Sequence, residues 1–245
     1  MKNFLCMKWG DLYGPEYVNN LYASIARNVT PPFRLTCLTD DPAGIRDEVA
    51  CFDCPTVDAP PPYDNTGWRK LVVWDEQVAD LEGDVLFLDL DVVIVGDLDP
   101  FFEFGEGFCV ARNWTQMKAK VGNTSVFRFT VGQATHLYRN FMADAQPILD
   151  RYDNEQIYVS REIERMTFWP DAWCKSFKVH CIPPMPLRWF MEPRIPEGAR
   201  VIAFTGTPNP PDAARGEWPL KPGAPAYKKI YKHVRPTSWI AEYWK

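Results

Sequence analysis

Residues Phe87-Leu88-Asp89-Leu90-Asp91-Val92-Val93-Ile94-Val95 limit the fold more than any other stretch, because they place two carboxylates two positions apart inside an apolar run. Such a run suits a strand buried on both faces, and a buried strand has no favourable way to hold bare charge. Strand residues at i and i+2 share a side, so Asp89 and Asp91 can present their oxygens together where the strand ends or bends. Two carboxylates so placed are a seat for a hard divalent cation, completed by water and phosphate oxygens. The same spacing also serves solvated turns and helix caps. The next pair, Asp97 and Asp99, fits that ordinary use: Asp99 before Pro100 reads as an N-cap with proline at the first helical position, opening Phe101-Phe102-Glu103.

The chain of 245 residues, 46% hydrophobic, can bury one sizeable core, and its 23 prolines point to shaped loops around that core rather than to disorder. No apolar run approaches the roughly 18 to 20 residues that span a bilayer. The first eight residues break at Lys8 and lack the apolar region of a signal peptide, so the expected location is the cytoplasm. Seven cysteines without regular spacing read as reduced thiols. Cys51-Phe52-Asp53-Cys54 has a zinc-like spacing, but no second pair accompanies it. A net charge of −5 argues against nucleic acid as a partner.

Residues 3 to 8 read as a strand, followed by a helix opened by Pro15 and Glu16 whose Tyr17, Leu21 and Ile25 form one buried face. A second strand over 34 to 39 runs into Asp40-Asp41-Pro42. Strand, helix, strand with short links opens a parallel α/β sheet. A third strand is expected at 50 to 53, a helix from about Trp68 to Ala79, and a strand at 85 to 90. Ligands of open parallel sheets bind beyond the carboxyl ends of the strands, which brings Lys8 to Tyr13, Thr39 to Asp41 and Asp89 to Asp91 to one crevice. Further strands are expected at 108–111, 125–129 and 200–204, and helices at 132–144 and 156–165.

These motifs, in this order over residues 1 to 211, resemble the retaining GT-A glycosyltransferases of the glycogenin and lipopolysaccharide-galactosyltransferase type. The resemblance implies a single α/β domain with a Rossmann-like, mostly parallel mixed sheet flanked by helices. Gly10-Asp11-Leu12-Tyr13 is similar to the loop whose tyrosine stacks on uracil, and Thr39-Asp40-Asp41 stands where base and ribose are met. Trp68-Arg69-Lys70-Leu71 resembles the helix whose Lys or Arg reaches the diphosphate. Asp89 and Asp91 stand as the metal motif, for Mn²⁺ or Mg²⁺. Asn123-Thr124-Ser125-Val126 resembles the asparagine-bearing strand, and Glu155-Gln156 falls beside the donor sugar. The late motif departs: Ala203 stands where the resemblance has a metal-binding histidine, and Asn209 where it has a lysine. Water or Thr205 would then complete the metal shell, or cations such as Arg69, Lys70, Arg128 or Arg188 would carry the diphosphate. Each residue also has an ordinary use: Tyr13 and Trp9 as cover for the sheet edge, Asp40 as a turn cap, Lys70, Glu155 and Gln156 as solvated helix residues, Asn123 as a turn residue.

The resemblance implies transfer of a sugar from a UDP-sugar to a hydroxyl of a glycan or lipid-linked glycan. Two rivals are a silent nucleotide-sugar-binding protein and a sugar-nucleotide hydrolase or nucleotidyltransferase, although no Gly-x-x-x-x-Gly-Lys loop supports the last. The catalytic domain is expected over residues 1–215. Residues 216–245 form a tail rich in basic and aromatic side chains, Lys221, Lys228, Lys229, Lys232, Arg235 and Lys245 among them. Such a tail suits the inner face of an anionic membrane, and its apolar residues Ile230, Val234, Trp239 and Trp244 equally suit packing on the domain.

Overall fold

The computed structural model describes residues 1–245 apart from 221 and 226 and the side chain of Lys229. Lys221 of the basic tail, and the side chain of Lys229, thus lie outside the described residues. The chain opens with β1 (Lys2–Lys8), α1 (Pro15–Asn28), β2 (Phe33–Thr39) and β3 (Ala50–Asp53). A tight 3₁₀ turn over Gly67–Trp74 leads to β4 (Asp84–Leu88) and β5 (Val92–Ile94). Next come α2 (Pro100–Glu103), β6 (Cys109–Arg112), β7 (Gly122–Thr130), α3 (His136–Ala143), α4 (Gln146–Arg151) and α5 (Glu155–Glu162). The remainder holds β8 (Thr167–Phe168), β9 (Cys174–Ser176), a single π turn over Phe177–Cys181, β10 (Val201–Ala203), α6 (Pro210–Arg215), α7 (Lys228–Tyr231) and α8 (Trp239–Tyr243).

Seven strands form one sheet in the order β3-β2-β1-β4-β7-β6-β8. β3, β2, β1 and β4 run parallel, and β7 is antiparallel to β4 and β6. The alternation of strand side chains divides the core. Leu5, Met7, Val85 and Phe87 face the 3₁₀ turn and α3, while Phe4, Cys6, Leu86 and Leu88 face α1 and α2. A second sheet, β5-β10-β9, lies beside the first and carries a third apolar cluster.

Three expectations are corrected. The helix expected from Trp68 to Ala79 ends at Trp74 and is a 3₁₀ turn. Its Trp68, Leu71, Val72, Val73 and Trp74 are buried, and the element closes where the Asp75 amide donates to the Val72 carbonyl at 3.2 Å. The strand expected at 85 to 90 ends at Leu88, and after the break at residues 89 to 91 the apolar run continues as β5 in a second sheet. Asp99 is not a side-chain N-cap: its carboxylate accepts from the Thr30 amide at 3.0 and 3.2 Å and pairs with Lys2 at 2.9 Å, tying the end of α1 to the start of β1.

All seven cysteines are free thiols. Among the described residues no helix is long and apolar enough to cross a membrane.

Candidate active site

β1 and β4 are parallel neighbours, so their carboxyl ends open on one edge of the sheet. The strand alternation continues past β4, and Asp89 follows Phe87 toward the 3₁₀ turn. Its amide still donates to Ser125 O of β7 at 2.9 Å, while its carboxylate meets Lys70 Nζ at 2.6 Å (Oδ1) and 2.8 Å (Oδ2). Two residues on, the Asp91 carbonyl accepts the Phe204 amide at 3.0 Å and so belongs to the second sheet. The pair therefore sits where the chain changes sheets, at a break that frees both carboxylates from the ladder.

The two acids differ. Asp91 is buried, and the Tyr13 hydroxyl donates to its Oδ2 at 3.1 Å. Burial, and then the charge of Asp89, raise its pKa to about 7. Burial and the charges of Asp91 and Asp89 likewise push Tyr13 far up, so it stays a hydrogen-bond donor. Burial works against the Lys70 charge, but attraction to Asp89 and Glu155 outweighs it and the pKa of Lys70 is raised. One ammonium thus serves Asp89 and Glu155, and among the described residues Asp91 has no ion-pair partner of its own.

A cavity of about 550 Å³ opens in front of the pair, lined by Trp9, Asp11, Tyr13, Asn65, Thr66, Gly67, Lys70, Asp89 and Asp91 among others. Asp40 Oδ2 accepts the Gly10 amide at 2.9 Å and so fixes the aromatic loop. Thr39 is buried, with its hydroxyl bonded to the Asp41 amide and carbonyl at 3.1 and 3.0 Å. α5 starts behind Lys70. Its first residue, Glu155, is buried and accepts the Thr124 hydroxyl at 2.9 Å, and Asn123 Nδ2 donates to Gln156 Oε1 at 3.3 Å. A methyl group at Gly67 would lie 2.7 Å from Glu155 Oε2, so glycine there lets the carboxylate come up against the 3₁₀ turn.

Two carboxyl groups at a sheet break, with Asp91 unpaired by any cation among the described residues and a cavity in front, fit a hard cation that keeps water and phosphate oxygens as its other ligands. Among the described residues no third His, Cys, Asp or Glu joins them. Ala203 is buried in the ladder opposite Val92 and offers no donor atom.

No family model matches the sequence, and no curated protein does. Solved structures match. The galactosyltransferase LgtC, crystallised with donor and acceptor sugar analogues, aligns with a TM-score of 0.56 at 13% identity over 85% of this chain and 88% of that one. The bifunctional glycosyltransferase WbbM aligns at 0.60 with 14% identity, over 98% of this chain and 50% of that one, so this chain spans half its length. Mouse xyloside xylosyltransferase 1 aligns at 0.53 with 12% identity, over 83% of this chain and 97% of that one. The fold is that of the GT-A glycosyltransferases.

Within this GT-A crevice the structure brings together Asp11, Tyr13, Lys70, Asp89 and Asp91, with Glu155, Gln156 and Asn123 behind them and Asp40 bracing the first loop, while the Thr39 hydroxyl stays in its own turn with Asp41. Arg69 is a correction. It is buried, points away from Lys70 and donates to the Cys54 and Pro55 carbonyls at 3.0 and 3.1 Å, because neighbours on a tight turn leave it on different sides. Arg128 and Arg188 are equally committed. Arg128 is buried on the carbonyls of Phe101, Phe102 and Gly105, and Arg188 binds those of Pro183 and Tyr231. Asn65, Thr66 and Gly67 line the cavity although no chemistry in the sequence singled them out; their place just before Lys70 was the available signal.

Proposed function

We propose that the protein is a glycosyltransferase that moves a sugar from a UDP-sugar to a hydroxyl acceptor, with retention and with Mn²⁺ or Mg²⁺ on Asp89 and Asp91. The observation that carries this reading is the carboxylate pair at the sheet break, neutralised only in part by Lys70 and facing the 550 Å³ cavity. A divalent cation on the pair supplies Lewis-acid stabilisation of the charge that grows on a departing diphosphate. Lys70 holds Asp89 in place and adds positive charge beside it. Trp9 and Tyr13 offer aromatic faces for the base, with Asp11 and Asp40 at the same loop. Glu155 and Gln156 are the sugar-positioning groups, locked by Thr124 and Asn123. No general base is assigned.

The test is a donor screen across UDP-, GDP- and CDP-sugars that reads released nucleotide with and without Mn²⁺ or Mg²⁺ and an acceptor. Metal-dependent, acceptor-stimulated release of UDP is expected. Affinity without release would establish the silent binding protein, and release that ignores every acceptor would establish the hydrolase.

The acceptor we propose is a glycan, or a glycan on a lipid, with residues 1–215 as catalytic domain and 216–245 as the tail beside it. A patch at the tail supports the lipid-linked form. Arg188 and Trp189 donate to the Tyr231 and Ile230 carbonyls at 2.7 and 3.1 Å, which brings two exposed apolar segments together. Leu187, Phe190, Tyr227 and Ile230 are exposed there, beside Lys228 and Lys232. Aromatics interleaved with lysines suit an anionic headgroup layer, each basic residue contributing roughly 1 kcal/mol. Sedimentation with anionic vesicles that weakens at high salt is expected; a protein that never sediments with them removes the membrane from the proposal.

A further inference from the structure

The carboxylate pair creates a charge problem that Lys70 does not solve. With both acids ionised on a bound cation, Asp89, Asp91 and Lys70 sum to one negative charge, and Lys70 is already held on both Asp89 oxygens. A divalent cation leaves the site one positive charge against the two negative charges of a sugar-nucleotide diphosphate, and a third appears as the sugar departs. Further cations must face the phosphates.

The second sheet carries a candidate in Lys178. Phe177 is buried and stacks on Phe204, ring centroids 4.3 Å apart and planes at 17°. That contact lays the π turn along residues 205 to 207, the exposed loop that begins where the Phe204 amide meets the Asp91 carbonyl. Lys178, next to Phe177, bridges this loop by donating from Nζ to the carbonyls of Thr205 and Thr207. Its partners are neutral: among the described residues Lys178 forms no ion pair, and neither does Lys232, which the tail brings within range of it. Burial and then repulsion from Lys232 lower the pKa of Lys178, while Asp91 pulls it up. Lys178 is thus a half-buried ammonium held only by neutral carbonyls, on the loop that follows the Phe204–Asp91 contact.

We propose that Lys178, seconded by Lys232 from the tail, holds the diphosphate of the nucleotide donor on the side of Asp91 opposite Lys70. The proposal rests on the nucleotide-sugar reading and adds a tail residue to the donor site. Asn209 takes no such part, since its amide donates to Asp212 Oδ2 at 3.1 Å at the start of α6.

Calorimetry in the presence of Mn²⁺ with three probes, UDP, uridine and inorganic pyrophosphate, tests it on the full chain. Lys178→Gln is expected to weaken UDP and pyrophosphate at least tenfold and leave uridine unchanged. Lys232→Gln should weaken the same two about threefold, and Lys178→Arg should restore most of the loss. Thermal melts establish that each variant is folded; should Lys178→Gln fail to fold, Lys178→Arg and Lys232→Gln carry the test. Wild-type UDP affinity in Lys178→Gln, or in Lys232→Gln where that variant alone can be read, overturns the inference and leaves the donor reading standing. Lysine-dependent binding of pyrophosphate by a wild type that ignores UDP overturns the donor reading and keeps the anion site. A wild type that binds neither overturns both.

Discussion

The carboxylate pair has two flanks built by different means. On one side, β1, β4 and the 3₁₀ turn bring Tyr13, Lys70 and Asp89 together through regular strand alternation and parallel pairing. On the other, the second sheet, the π turn and the tail meet through aromatic stacking and carbonyl contacts between segments far apart in sequence. The first flank is a scaffold whose geometry follows from local rules, and its Lys70 pairs with Asp89 and leaves Asp91 unpaired. The second is assembled from irregular pieces, and among the described residues its Lys178 and Lys232 have no carboxylate partner. On the proposed donor reading, the regular flank takes the cation and the base and the irregular flank takes the diphosphate.

The sharpest way to break this comparison is at the pair itself. Asp91→Asn and Asp89→Asn are each expected to reduce metal-dependent UDP affinity by about a hundredfold or more, since a hard cation would retain a single carboxylate. Their effects on folding should diverge. Asp89→Asn strips Lys70 of its partner, and with both side chains mostly buried the loss should be on the order of 2 kcal/mol. Asp91→Asn removes an acid that burial already disfavours, so the metal-free melting temperature should hold or rise. Unchanged UDP affinity in both variants removes the cation from the regular flank.

The next largest effect probes the irregular flank. Val234 and Ile240 are buried with Phe177, Ile202 and Phe204, and the Ser24 hydroxyl and Arg27 guanidinium bond the Tyr243 carbonyl at 2.8 and 2.9 Å. Ile240→Ala should cost about 3 kcal/mol of stability. Ile230→Ala, at a side chain 57% exposed, should fall within about 0.5 kcal/mol and affect vesicle binding instead. Equal denaturation midpoints for the two would make the tail a passive appendage.

How much was legible follows the same line. The alternation of Leu5, Met7, Val85 and Phe87, the helix face of Tyr17, Leu21 and Ile25, and the break at Asp89 and Asp91 are local patterns, and strand pairing reproduces them. Which cation faces the pair was not local. Arg69 and Lys70 are adjacent, and only the direction of a tight turn sends one to Asp89 and the other to the Cys54 and Pro55 carbonyls. Lys178 left no mark in the sequence, because its position depends on Phe177 finding Phe204 across 27 residues of proline-rich chain.

Acidity offers a smaller and reversible probe. With its pKa raised from 3.8 to about 7, Asp91 holds a proton in the metal-free folded protein that the unfolded chain has released. The stability from that proton is complete below about pH 4 and is lost as pH rises through 7, a decline on the order of 4 kcal/mol from this group. Mn²⁺ competes with the proton, so the increase in melting temperature on adding Mn²⁺ should grow between about pH 5.5 and pH 8. An increment independent of pH would mean that the cation does not bind Asp91.

The smallest predicted effect separates the two uses of Tyr13. Its ring lines the cavity while its hydroxyl donates to Asp91 Oδ2 at 3.1 Å, so one residue links the base wall to the cation seat. Tyr13→Ala removes both and should weaken UDP by about tenfold or more, in line with roughly 1 to 3 kcal/mol for stacking on a base. Tyr13→Phe keeps the ring and removes only the hydrogen bond, about 1 kcal/mol. Because that bond favours the ionised form of Asp91, its loss should raise the acid's pKa and shift the pH dependence of Mn²⁺ binding upward, with uridine affinity unchanged. If Tyr13→Phe instead weakens uridine as much as Tyr13→Ala does, the hydroxyl serves the base directly and the link to Asp91 is incidental.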